Sequence, residues 1–172
     1  MTDLDLLVLP GGADVNPLRY NEPPGFYTDK PDIVKEYFDV FVLPKYIEQR
    51  TPIFGICRGA QTIAISFGCS LLQHIYHETN TSDDPYKGVH SLLVADKSKK
   101  IKVNSRHHQS IRRPKDDSLV KVIATHSNNG GHIEAIRIQG YPIAAVQFHP
   151  EDLNEESGVE YACHLINGIL KK

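Results

Sequence analysis

Two short segments carry residue types and spacings that could do chemistry. In Pro52-Ile53-Phe54-Gly55-Ile56-Cys57-Arg58-Gly59-Ala60-Gln61, a cysteine has a glycine two residues away on each side. A short apolar run precedes Cys57 and a helical pattern follows it, so the spacing predicts a tight strand-to-helix turn with the thiol at its apex. The helix N-terminus, with its unpaired N–H groups and dipole, favours an anion there. That predicts a thiol pKa below the ordinary value and an available thiolate nucleophile. A lone cysteine also reads as a packed core residue. The two flanking glycines select the nucleophile.

A cysteine nucleophile needs a base that later returns a proton to the leaving group, and a third group to orient that base. Gln147-Phe148-His149-Pro150-Glu151 offers both. Residues two apart on an extended segment point the same way, so His149 and Glu151 can share one face. Glu151 would then hold the imidazole and stabilise its protonated form, as the acid does in Ser-His-Asp systems. A bare His-x-Glu is most often an incidental surface pair, but this one closes a buried strand.

The elements that must position these groups are legible in outline. Leu4 to Leu9 is a nearly continuous apolar run, as expected of a parallel strand covered on both faces, and it enters Pro10-Gly11-Gly12. A long proline-rich loop follows, in which Tyr20, Phe26 and Tyr27 either line a pocket mouth or pin the loop. Pro31 and Asp32 start a helix whose buried face is expected from Val34, Tyr37, Phe38 and Phe41, and Pro44 should break it. Pro52 to Ile56 is the strand before the turn, and Ala60, Ile63, Ala64 and Phe67 mark one face of the helix after it. Leu71 to His77 is a short strand or a helix end, and Thr79 to Lys87 a polar loop. Leu92 to Ala95 and Ile101 to Val103 read as strands about a solvated Lys97 to Lys102 turn. Leu119 to Thr125 and His132 to Ile138 flank Asn128-Asn129-Gly130-Gly131, a hairpin signal. Ile143 to Phe148 is a further buried strand. The last helix opens with Ser157 and Glu160 in capping-box spacing and buries Val159, Ala162, Cys163, Ile166 and Leu170. Strand–helix alternation followed by a hairpin gives an α/β class with an antiparallel addition.

At 172 residues, the chain is expected to form one domain over 1–172, with ordinary globular composition: 40% hydrophobic and 23% charged. A formal net charge of -2 without a long basic run argues against nucleic-acid binding. No apolar run is long enough for a bilayer and no signal peptide opens the chain. Three cysteines without framework spacing fit free thiols in a reducing compartment, so a soluble cytoplasmic protein is expected. Cys69 and Cys163 are expected to be buried packing residues. His74 with His77, and His107 with His108, bring no third ligand, so no metal and no cofactor is expected.

Taken together, Gly55 to Gln61 and Gln147 to Glu151 resemble the class I glutamine amidotransferase superfamily, in which Cys, His and Glu form the triad. The segments Leu9 to Pro17, Asn104 to Gln109 and Ile133 to Ile136 are similar to the branch that hydrolyses γ-glutamyl amides, the γ-glutamyl-γ-aminobutyrate hydrolase-like (peptidase C26) branch. The resemblance implies a flavodoxin-like three-layer sandwich with a mostly parallel sheet and a small antiparallel addition. It implies that Cys57 attacks a γ-glutamyl carbonyl, that His149 and Glu151 serve it, and that the N–H groups of Gly12 and Arg58 hold the oxyanion. It implies further that Gln61, Arg106, His107, His108 and Gln109 grip the glutamyl α-amino and α-carboxylate groups. Glu134 is placed near the amine half of the substrate, or faces solvent.

Relative to that family, this sequence begins at what resembles the third strand. Leu4 to Leu9 then becomes an apolar edge, expected to be covered by a second copy, a partner subunit or a rearranged terminal segment. Three functions compete: a stand-alone hydrolase of γ-glutamyl amides, a glutaminase subunit passing ammonia to a synthetase, and a degenerate binding module. The Asp14-Val15-Asn16-Pro17 and Arg106 to Gln109 segments favour the first, and the intact Cys57, His149 and Glu151 disfavour the last.

Overall fold

The computed structural model describes residues 4–79, 88–94, 97–115, 118–127 and 131–171. In order, the elements are β1 (Leu7–Leu9), α1 (Ile33–Phe41), α2 (Leu43–Glu48), β2 (Ile53–Ile56), α3 (Arg58–Ser66), β3 (Leu71–Leu72), α4 (Ile75–Thr79), β4 (Gly88–Val94), β5 (Lys97–Ser105), β6 (Ser110–Ile111), β7 (Val120–His126), β8 (Ile133–Ile138), β9 (Ile143–Val146) and α5 (Glu156–Leu170). Seven strands form one sheet in the order β1-β2-β9-β8-β7-β4-β5, and β3 with β6 forms a two-stranded one. β1, β2 and β9 are mutually parallel, in register Leu9↔Gly55↔Ala145. Beyond β9 every pairing is antiparallel, so the extension from β8 to β5 is four strands wide.

Alternation along β9 shows how the layers form. Ile143 and Ala145 join the core under α3, whereas Ala144 and Val146 join the core under α5. Side chains two apart share a face, so a fully buried strand feeds both cores at once. α3 is buried from Arg58 to Ile65, between the sheet and its neighbours. Truncating its fully buried Ile63 to alanine would cost about 2–5 kcal/mol in lost transfer and cavity terms.

Several local expectations change. The first strand is only Leu7–Leu9, pairs with β2 alone among the described strands, and leaves Val8 exposed. α1 is turned the other way round from the sequence reading. Val34, Tyr37 and Phe41 are exposed at 77%, 62% and 58%, Phe38 is partly buried, and Asp39 is the buried residue. The inward face of α1 is claimed by Glu36 and Asp39, which pair with arginines (below), and ion pairing outranks the apolar stripe. Pro44 does separate α1 from α2, at Val42.

α5 begins one residue before Ser157 and has no side-chain cap. Ser157 Oγ instead accepts the Lys102 N–H at 3.3 Å. The buried face of α5 is Gly158, Tyr161, Ala162, Leu165 and Ile169, rotated from the expected one, so Cys163 is exposed. Lys97 to Lys102 lies in β5 rather than in a turn. The β7–β8 hairpin forms, although 128–130 lies outside the described residues, as do 80–87 of the polar loop. Among the described residues, no helix is long and apolar enough to cross a membrane.

Candidate active site

Cys57 sits between β2 and α3 with φ 51° and ψ -107°, a positive φ that a non-glycine residue seldom adopts. Such a conformation costs about 1–3 kcal/mol and survives only where its surroundings over-determine it. They do so here. The Cys57 N–H donates to Val146 O at 2.8 Å, continuing the β2–β9 ladder, while its carbonyl accepts from Ala60 and Gln61 N–H at 3.0 and 3.2 Å. The glycines make the turn sterically feasible. A β-carbon on Gly59 would lie 2.8 Å from the Leu9 carbonyl carbon, and one on Gly55 would lie 2.8 Å from the Gly59 carbonyl oxygen.

The thiol differs from the sequence expectation. Burial pushes its pKa up to about 11, and the fields of Glu151 and Glu134 act the same way. The Arg58 N–H and the Gln147 side chain pull it down, but less strongly. The helix N-terminus is present, yet withdrawing the thiolate from water outweighs it. Cys57 rests as a neutral thiol.

His149 follows β9, and its Nδ1 lies 2.7 Å from Glu151 Oε1. An ionised carboxylate only accepts, so Nδ1 is the donor in this pair and Nε2 is the ring nitrogen left for proton transfer. The ring lies against Gly11. The point where a Gly11 β-carbon would stand is 2.7 Å from His149 Cε1, 3.5 Å from Nε2 and 3.6 Å from Cys57 Cβ. Three segments distant in sequence thus meet at one place. Behind the Gly11-Gly12 turn, Lys35 Nζ donates to the Gly11 carbonyl.

Arg58 is 3% exposed and carries a charge network that the sequence reading missed. Its Nη2 lies 2.8 Å from both Glu36 Oε1 and Asp39 Oδ2, and Asp39 Oδ2 also accepts from Arg19 and Thr62 at 2.9 and 3.0 Å. This ties α1 to the start of α3. The missed signal was Glu36 with Asp39, two acids three residues apart on the helix face opposite the expected apolar stripe.

The remaining residues divide. Gln61 is buried and donates to Gln147 Oε1 at 3.3 Å. Arg106 is exposed and paired with Asp152. His107 is buried, with Nδ1 2.8 Å from Gln109 O and Nε2 3.8 Å from Glu134 Oε1, and burial lowers its pKa. Glu134 is also 3.3 Å from His90 Nε2, and it is 1% exposed rather than solvent-facing. Gln109 is buried, and neither amide atom has a hydrogen-bond partner among the described residues. His108 Nε2 lies 3.0 Å from Asp14 Oδ1, and that hydrogen bond raises the His108 pKa.

The ligand-type atoms of Asp14, Asp29 and His108 lie within 4.8 Å of one another, so His108 does have acidic neighbours of the kind a cation would use. Asp14 already uses both oxygens, the second accepting from Asp29 N–H at 2.8 Å. In the proline-rich loop Tyr20 is buried, Phe26 is exposed, and Tyr27 stacks on His77 at 4.4 Å.

The model of the Peptidase C26 family matches residues 1–151. The chain is 32% identical over 163 residues to the putative glutamine amidotransferase-like protein YvdE of Lactococcus lactis, covering 88% of this chain and 67% of that protein. It is 27% identical over 168 residues to anthranilate synthase component 2 of Saccharolobus solfataricus, covering 96% of this chain and 83% of that protein. Among solved structures, a putative GMP synthase subunit from Thermoplasma acidophilum aligns with a TM-score of 0.66 at 27% identity, over 97% of this chain and 73% of that one.

Proposed function

The chain belongs to the peptidase C26 family, and on that footing we propose that it is a cysteine-dependent hydrolase of γ-glutamyl amide bonds. The observation that carries the reading is the meeting of His149 and Cys57 at Gly11, with His149 Nδ1 held 2.7 Å from Glu151. Cys57 Sγ adds to the γ-carbonyl of glutamine or a γ-glutamyl amine as its proton passes to His149 Nε2. Since the resting thiol is neutral, this transfer accompanies attack rather than preceding it. The N–H groups of Gly12 and Arg58 take the developing oxyanion. The C–N bond breaks as His149 returns the proton to the leaving nitrogen, leaving a thioester. Water then gives a proton to His149 and adds to the thioester, the C–S bond breaks, and the sulfur recovers that proton as glutamate departs. Gln61, Arg106, His107, His108 and Gln109 grip the glutamyl end, and Glu134 lies toward the amine half of the substrate.

The test is glutamate release from glutamine, γ-glutamyl-γ-aminobutyrate, γ-glutamylputrescine and a γ-glutamyl anilide, by wild type and Cys57→Ala. Cys57-dependent turnover of a γ-glutamyl amine with little on glutamine supports the reading. Turnover surviving in Cys57→Ala sinks it. A second reading, a glutaminase subunit supplying ammonia to a synthetase, draws on the similarity to a synthase component and a synthase subunit. Glutamine-only turnover that depends on a co-purifying protein would select it. Either reading fits a cytoplasmic protein with three free cysteines, whose β1 edge is covered by a second copy or a partner subunit.

A further inference from the structure

We propose that Asn104 is a positioning residue for His149, its side-chain amide standing in for a strand neighbour along the histidine's main chain. The proposal rests on His149 being the base assigned above. β9 ends at Val146, and the last sheet-like bond beyond it is Gln147 N–H to Glu134 O at 2.8 Å. Two residues later the main chain has left the ladder, and Pro150 has no N–H to continue it. His149 is extended there, with φ -106° and ψ 90°, and its polar groups need partners.

Asn104 supplies one to each from β5, the His149 carbonyl also accepting from the Asp152 N–H at 3.2 Å. The His149 N–H donates to Asn104 Oδ1 at 2.8 Å, and Asn104 Nδ2 donates to His149 O at 2.9 Å and to Asp152 O at 3.3 Å. Chemistry alone sets the amide's orientation, because an N–H can only donate and the two carbonyls can only accept. The clamp brackets the histidine and reaches the far end of the turn that holds Glu151. It is anchored, since Asn104 pairs with Val89 across β4 and β5 and is 9% exposed.

The imidazole borders Gly11 and is tied to Glu151 of the same turn. Its Cε1 lies 2.7 Å from where a Gly11 β-carbon would stand. A displacement of about 1 Å at a catalytic group can cost about 100-fold in rate. The clamp therefore acts chiefly on the proton-transfer step; its third bond reaches only the main chain of Asp152, whose side chain pairs with Arg106. In the sequence Asn104 only opens the Asn104 to Gln109 segment; this role is not visible there, because it lies in a partner 45 residues away.

Two variants and two readouts test this. Asn104→Ala removes all three bonds. Asn104→Asp keeps the volume and the bond from the His149 N–H, but sets a carboxylate oxygen against the His149 and Asp152 carbonyls. Both are expected to lower kcat at least tenfold on the best substrate of the panel, with KM within twofold. In both, the His149 Cε1–H NMR resonance should move or split while the rest of the spectrum stays folded. Either folded variant with kcat within twofold of wild type, or a rise in KM with kcat unchanged, overturns the proposal. An unmoved His149 resonance in both variants also overturns it. The NMR readout needs no turnover, so a wild type without Cys57-dependent activity would refute the hydrolase reading while the clamp is still judged.

Discussion

Gly11 and His149 approach so closely that a β-carbon on the glycine would lie 2.7 Å from the imidazole Cε1. That distance is shorter than any ordinary carbon–carbon contact, and the same point is 3.6 Å from Cys57 Cβ. The loop after β1 thus forms the wall against which His149 rests, which is why it must be bare at this position.

Gly11→Ala pushes the ring aside and should lower kcat by about 10–100-fold. Its melting temperature should stay within about 4 °C of wild type, about 1 kcal/mol for a chain of this size. Steady-state kinetics beside a thermal melt check both. A full-rate alanine variant would mean that His149 does not work from this position.

Asp39 and Arg58 form a buried pair at 2.8 Å, each 4% exposed at its side chain. Asp39→Ala leaves the guanidinium with Glu36 and a distant Thr62, so destabilisation toward the lower end of about 3–5 kcal/mol is expected. Asp39→Asn keeps an acceptor for Thr62 and should cost less. Urea unfolding of the two variants checks this: both remove the charge, so an Asp39→Asn protein as stable as wild type would contradict the charge argument, while the difference between the two variants reports the Thr62 hydrogen bond.

The Cys57 thiol should stay protonated at neutral pH. Ultraviolet thiolate absorbance, taken as wild type minus Cys57→Ala, should show a midpoint near 11. Alkylation of the free enzyme should accelerate over the same range. A wild-type thiolate signal at pH 7 would show that a preformed ion pair, not burial, governs the sulfur.

His108 is raised chiefly by its hydrogen bond to Asp14, with burial opposing. Its folded pKa therefore lies above the unfolded value of about 6.5. The pair's contribution is full below that pH and is lost as pH rises through the folded value. His74, His107 and His132 are lowered by burial and work in the opposite sense, losing stability on acidification. The stability difference between wild type and Asp14→Asn isolates the first effect, and it should shrink between pH 6 and pH 8, on the order of the imidazole range. A difference that grows with pH would reverse the assignment.

Local spacing carried the parts of the site that neighbours in sequence decide. Gly55 and Gly59 about Cys57 announce a turn that tolerates no β-carbon on either side. His149 and Glu151 do meet, though not by strand alternation: Glu151 lies in the 3-10 turn Pro150–Asp152 that follows the extended His149. The antiparallel β7–β8 pair flanks Asn128 to Gly131, whose composition signals a hairpin in the sequence.

Distant partners reversed other expectations. Tyr37 and Phe41 form an apolar stripe at helical spacing, but periodicity states only that a helix has two faces. Arg58 and Arg19 decide which of them turns inward. The thiol depended in the same way on how much protein surrounds it. A helix N-terminus is visible in sequence, whereas the desolvation that overrides it is a property of the packed core.

By itself, then, the sequence determined the chemistry on offer: a cysteine on a glycine turn, a histidine with its acid, and alternating strands and helices to carry them. Only the tertiary structure decided that Gly11 backs His149, that Asn104 holds its main chain, and that α1 faces its charges inward. The physical reason is range. Turn sterics and face alternation act over a few residues, whereas burial, ion pairing and side-chain clamps need atoms that only the folded chain brings within about 3 Å of one another.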